Sequence, residues 1–118
     1  MFKELDLLML DVKDISASTY FYHDILEFEI KKQSPNWTTF RMGKTTLAIR
    51  PQREQMVDER NVKHGIVFGF LCLDVDKKVK ELEEKGAHIL LWPRDETFGR
   101  YAEIADPDGH IIMLTNAT

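Results

Sequence analysis

Residues 8–14 read LMLDVKD, and residues 71–77 read LCLDVDK. Leu, Leu, Asp and Val recur between them at an offset of 63 residues. That echo divides the chain into two copies of one pattern. After the first copy, Asp14 or Ser16 is a candidate N-cap, because a short oxygen-bearing side chain satisfies the free N–H groups of a helix start. The helix predicted there extends to about Leu26, with Ala17, Phe21 and Ile25 spaced along its buried face. After the second copy a helix is predicted from Asp76 to Gly86, where glycine provides a left-handed stop. Val79 and Leu82 mark its buried side. Lys77–Glu81, Lys80–Glu84 and Glu81–Lys85 place charge pairs on its solvated side.

Three strand-like stretches follow each helix. They are EFEIKK, WTTFRM and TTLAIR in the first copy, and AHILL, RYAEIA and HIIMLT in the second. Gly43-Lys44 is a tight turn in the first set. Asp106-Pro107-Asp108-Gly109 is a turn in the second: proline sets φ, Asp106 bonds the backbone ahead of it, and glycine takes a positive φ. The chain therefore reads as βαβββ twice. This is an α+β fold of two tandem modules whose mixed sheets curl into a cup. Module 1 covers about residues 1–50, a charged linker with room for a short helical turn covers 51–65, and module 2 covers about 66–118, all within a single domain.

Composition narrows the function. A net charge of −4 with no basic block argues against nucleic acid. Apolar runs such as LLML and HILLW are too short for a signal peptide or a membrane span. Cys72 is the single cysteine, which excludes an internal disulfide, fits a reducing cytoplasm and reads as a small buried hydrophobe.

Three segments, LDVKD, FYHDILEFEI and AEIADPDGHIIML, lie in order on this duplicated pattern. Together they resemble the vicinal oxygen chelate superfamily of glyoxalase I, extradiol dioxygenases, and fosfomycin- and bleomycin-resistance proteins. Glu27 stands where that family usually has glycine. The resemblance implies that members using a metal take its ligands at the positions of Leu7, Ala48, Phe70 and Met113. The repeat agrees, since Leu7 and Phe70 are 63 apart and Ala48 and Met113 are 65 apart. Divalent metals require imidazole nitrogen, thiolate or carboxylate oxygen at such points, and none of these four side chains supplies one. No metal and no cofactor are expected.

Strand alternation indicates what lines the cup instead. Leu8, Leu10 and Val12 should face the first helix, leaving Leu7, Met9 and Asp11 inward. Leu71, Leu73 and Val75 should face the second, leaving Phe70, Cys72 and Asp74 inward. Ile111, Met113 and Thr115, with Tyr101, Glu103 and Ala105, complete a mainly apolar lining suited to an organic ligand. Glu103 in mid-strand either bonds that ligand, acts as a general base, or is neutralised by Arg100 or Arg50. Tyr101 can offer a hydroxyl. The stretch LWPRDETFGRY, residues 91–101, reads as a loop in which Trp92 and Phe98 stack and Arg100 holds an anion. Trp37 and Phe40 must face opposite sides of their strand, and the repeat favours Phe40 for the cup. His23, His88 and His110 read as structural, while His64 in the linker alone could reach the cup.

The expectation is a metal-free binding protein for a small apolar or aromatic molecule, with sequestration of an antibiotic or metabolite as its role. The alternative is a lyase, isomerase or dioxygenase-type enzyme using Glu103. An exposed edge strand on each module predicts a homodimer.

Overall fold

The computed structural model describes residues 1–52 and 66–116. The linker residues 53–65, and with them the expectation for His64, lie outside the described residues. The chain divides into two compact units, Met1–Val57 and Asp58–Thr118.

In the N-terminal unit, β1 (Leu7–Val12) leads into α1 (Ile15–Thr19), a wider π-helical turn (Tyr20–Ile25), and then β2 (Ile30–Ser34), β3 (Trp37–Met42) and β4 (Thr45–Pro51). The sheet order is β1-β4-β3-β2, with β1 parallel to β4 and the other pairs antiparallel. Asp14 caps α1, accepting the backbone N–H groups of Ser16 at 2.9 Å and Ala17 at 3.2 Å. Such a cap contributes about 1 kcal/mol. The buried helical residues are Ser18, Thr19, Phe21 and Tyr22, while Ala17 is exposed, which corrects the face expected from the sequence. Two contacts set that rotation. Thr19 Oγ1 lies 3.2 Å from Thr38 Oγ1 on β3, and the fully buried Tyr22 ring sits 5.0–5.9 Å from Phe21, Phe28 and Phe40.

The π turn ends on a left-handed residue. The Leu26 N–H bonds to Phe21 O, the Phe28 N–H bonds to Tyr22 O, and Glu27 between them has φ 64°. The predicted strand EFEIKK therefore begins three residues late, at Ile30.

The C-terminal unit repeats the plan. It contains β5 (Phe68–Cys72), α2 (Val75–Glu84), β6 (His88–Glu96), β7 (Gly99–Ala105) and β8 (Ile111–Asn116), with sheet order β5-β8-β7-β6. Asp74 caps α2 by accepting the Lys77 N–H at 3.2 Å, so this helix opens one residue before the predicted Asp76. Asn116 Oδ1 accepts the Val75 N–H at 2.7 Å, tying the helix start to the last strand. Val75, Val79 and Leu82 meet Ala102, Ile104, Ile112 and Leu114 in the core of this unit. The expected loop at 91–101 is instead a β-hairpin: β6 runs to Glu96 and β7 starts at Gly99. Two register shifts in β6, between Ile89 and Leu91 and between Leu91 and Arg94, hid its alternation from the sequence.

The turn from β7 to β8 forms as the residues predict. Asp106 Oδ1 accepts the N–H groups of Asp108 and His110 at 3.0 and 2.8 Å, and Gly109 has φ 88°. Among the described residues, no helix is long and apolar enough to cross a membrane.

Candidate functional site

Each sheet has one face covered by its helix and one without. Register assigns the side chains. On the helix-free face of the N-terminal sheet, Met9 lies beside Ala48 and Ala48 beside Thr39. Leu7 and Thr46 form the next row, and Asp11 and Arg50 the row on the other side. Leu7 and Met9 thus lie where alternation put them, and Ala48 lies on the face that the family resemblance implied. Arg50 Nε bonds Asp11 Oδ1 at 2.6 Å, a half-buried ion pair crossing the two parallel strands.

Phe40 must be corrected. It lies opposite Leu47 on the helix-covered face, is fully buried, and contacts Tyr22 and Phe28. The aromatic cluster under the helix claims it. Trp37 therefore occupies the helix-free face with Thr39 and Arg41, and is 37% exposed.

In the C-terminal sheet, Met113 lies opposite Glu103 on β7 and beside Gly69 on β5. Tyr101 lies opposite Thr115, and Ala105 opposite Ile111. These residues share the helix-free face, with Leu91 across from Glu103. Phe70 must be corrected too. It pairs with Leu114 on the helix-covered face and stacks edge-on against Phe68 at 5.8 Å. Cys72 is on that same face, where burial raises its thiol pKa, and Asp74 is the helix cap. Leu71, expected against the helix, is instead 74% exposed.

One error explains the reversals in β5. The L-x-L-D-V echo has an offset of 63, whereas the two helix caps, Asp14 and Asp74, are 60 apart. The pair Met9–Ala48 corresponds to Gly69–Met113, so β1 and β5 match at 60 while β4 and β8 match at 65. The structural counterpart of Leu7 is therefore Val67. The close approach at Gly69 supports this register, because a Cβ there would lie 3.2 Å from the Met113 carbonyl oxygen. Leu7, Ala48, Val67 and Met113 still offer no nitrogen or oxygen donor. The residues at the superfamily's metal positions do not fit a divalent ion.

Arg100 is the third correction. Its guanidinium makes a two-pronged contact with Asp76 on α2 at 2.8 and 2.9 Å and reaches Asp95 at 3.1 Å. Those carboxylates raise its pKa, and its presence lowers that of Asp76. It ties the hairpin to the helix and does not extend toward the face that carries Tyr101. Arg100, committed to Asp76 and Asp95, does not neutralise Glu103. Trp92 and Phe98 are 49% and 63% exposed on the β6–β7 hairpin, and the Phe98 ring lies 5.1 Å from Tyr101. Together, Glu103, Tyr101, Met113 and Phe98 give the second unit an apolar surface with one carboxylate and one phenol.

Among the described residues, one group of three potential metal donors gathers: Asp106, Asp108 and His110, with ligand atoms within 4.8 Å. The turn accounts for it. One Asp106 oxygen accepts two backbone N–H groups, and the other faces His110 Nδ1 at 2.7 Å. Sequence reasoning passed over Trp37 in favour of Phe40, and missed Thr39, the Asp11–Arg50 pair and Gly69. Aligning the modules on their capping aspartates would have exposed Gly69.

This doubled βαβββ pattern matches the family model described as the Glyoxalase/Bleomycin resistance protein/Dioxygenase superfamily over residues 4–114, and the chain belongs to that family. It is 33% identical to the phenazine antibiotic resistance protein EhpR of Enterobacter agglomerans, covering 92% of this chain and 88% of that one. It is 28% identical to the metallothiol transferase FosB of Staphylococcus epidermidis, covering 91% and 77%. Its fold is that of TnmS3, an antibiotic binding protein from Streptomyces sp. CB03234, with TM-score 0.80, 23% identity, and 99% and 98% of the two chains covered.

Proposed function

We propose that this protein binds a flat, largely apolar small molecule without a metal and sequesters it, as an antibiotic-binding member of its family. One observation carries the reading: hydrocarbon and thioether side chains (Leu7, Ala48, Val67 and Met113) stand where metal-using members place donor atoms. What remains on the helix-free faces is apolar and aromatic surface with a few polar groups, the composition of an organic-ligand site. The relative named for phenazine resistance supports a planar heteroaromatic ligand. Affinity would come from burial, at about 25 cal/mol per Å² of apolar surface before association costs, and from stacking on Trp37, Trp92 and Phe98.

We further propose a cytoplasmic homodimer. Leu71 and Leu73 on and just after β5, an end strand of its sheet, are 74% and 93% exposed, and unpaired sheet edges favour association.

Tryptophan fluorescence titration with phenazine tests the ligand, and light scattering tests the dimer. Saturable quenching and twice the chain mass support the proposal. No response to phenazine or to other tricyclic aromatics refutes the ligand class.

A second reading has one observation in its favour: Glu103 is half-buried beside Tyr101 and Met113, and Arg100 is committed to Asp76 and Asp95. In that reading Glu103 is the general base of a lyase or isomerase. Ligand turnover that disappears in Glu103→Gln would favour it over sequestration.

A further inference from the structure

Thr38 and Thr39 are adjacent on β3 and meet opposite conditions. Thr38 points to the helix-covered face, where its hydroxyl lies 3.2 Å from that of Thr19. Thr39 points the other way, into the row Met9–Ala48–Thr39. It is 6% exposed, and its Oγ1 is buried with no hydrogen-bond partner among the described residues. A hydroxyl in that condition has lost its water and gained nothing in return. Valine has the same shape and would avoid the loss, so threonine at this place is costly to the ligand-free fold.

The surroundings define what would complete it. Ala48 beside it is fully buried and ends at a methyl group, so the row is covered in this structure, and an oxygen reaching the hydroxyl must displace that cover. Arg50, two residues along β4 on the same face, is the diagonal neighbour of Thr39, within roughly 7–8 Å. Its contact with Asp11 uses Nε, one of the five N–H donors a guanidinium carries. Trp37, two residues before Thr39 on the same face, offers a half-exposed indole.

We propose that Thr39 anchors the ligand by donating its hydroxyl hydrogen bond to an oxygen substituent, a carbonyl or carboxylate, on a flat aromatic ring system. Arg50 adds positive charge beside that oxygen, and Trp37 stacks on the ring. An amine substituent is disfavoured, since the nearest diagonal group is a cation. This inference rests on the planar-ligand reading above and adds a site in the N-terminal sheet with a defined ligand chemistry.

The test compares phenazine-1-carboxylate with unsubstituted phenazine by tryptophan quenching, using the wild type, Thr39→Val and Thr39→Ser. The wild type should bind the carboxylate about tenfold more tightly than the parent ring, as expected for one charge-assisted hydrogen bond. Thr39→Val should erase that preference, leave phenazine affinity within about twofold, and melt at or above the wild-type temperature. Thr39→Ser should restore the preference. If the wild type binds neither compound, the planar-ligand reading itself is refuted, and this inference falls with it. If it binds both and Thr39→Val shifts neither or both alike, only this inference is overturned. A wild type that prefers the parent ring overturns it without any variant. A lower melting temperature in Thr39→Val with unchanged ligand affinities marks the hydroxyl as structural only, and likewise overturns it.

Discussion

Replacing Glu27 with glycine should stabilise this protein. Glu27 sits at φ 64°, between the Leu26 and Phe28 N–H groups that close the π turn onto Phe21 and Tyr22. A left-handed backbone costs a residue with a Cβ about 1–2 kcal/mol, because Cβ crowds the following carbonyl. Glycine removes that cost but loses about 0.4–1 kcal/mol through the greater freedom of its unfolded chain. The net expectation is a gain of about 0.5–1 kcal/mol. With 118 residues and roughly 2.1 cal/mol/K of unfolding entropy per residue, that gain raises the melting temperature by about 2–4 °C. Any interaction of the exposed Glu27 carboxylate is worth at most about 1 kcal/mol. Glu27→Ala isolates it, since alanine keeps the Cβ and loses the carboxylate. Thermal and urea unfolding of the three proteins decide the matter. Glu27→Gly no more stable than Glu27→Ala would refute the backbone argument.

Further outcomes separate the two faces of each sheet. Phe40→Leu, in the aromatic cluster, should cost about 1–2 kcal/mol in urea unfolding and leave ligand affinity unchanged. Trp37→Ala should cost under about 1 kcal/mol of stability yet weaken phenazine binding several-fold by calorimetry. Asp106→Ala removes two backbone hydrogen bonds and the His110 contact, and should cost about 2–4 kcal/mol in chemical denaturation. Arg100 holds the Asp76 pKa below its unfolded value. The stabilisation is therefore present above the ordinary aspartate range and is lost as pH falls through the depressed value. Melting curves between pH 2 and 6 should show a flatter acid limb for Arg100→Gln, with ligand affinity at pH 7 unaltered.

The sequence carried the architecture because its signals were local and redundant. The Asp-Pro-Asp-Gly turn and apolar alternation in β1, β7 and β8 each forced one reading, and the family resemblance agreed with them. The caps were less legible, since Asp14 shared its place with Ser16 and Asp74 was read as facing the cup. Leu7, Met9, Ala48, Tyr101, Glu103 and Met113 were placed on their correct faces for that reason. Phe70 and Phe40 were not. A one-face slip in β5 came from trusting an echo of four identities over the spacing of the helix caps, and an odd-numbered error inverts every side chain in a strand. In β3, Trp37, Thr38, Thr39 and Phe40 carry no polar-apolar alternation, so only the aromatic cluster around Tyr22 decides which side is covered. The part of β6 beyond Leu91 read as a loop for the same lack of period. Arg100 was misjudged because its partner Asp76 is a tertiary neighbour from α2.

The most direct test is calorimetric titration of phenazine-1-carboxylate into protein stripped with a chelator and verified metal-free by elemental analysis. The account predicts saturable binding whose affinity is unchanged when Zn²⁺, Ni²⁺ or Mn²⁺ is restored. Binding that appears only with added metal, or an ion that survives chelation in stoichiometric amount, would contradict it.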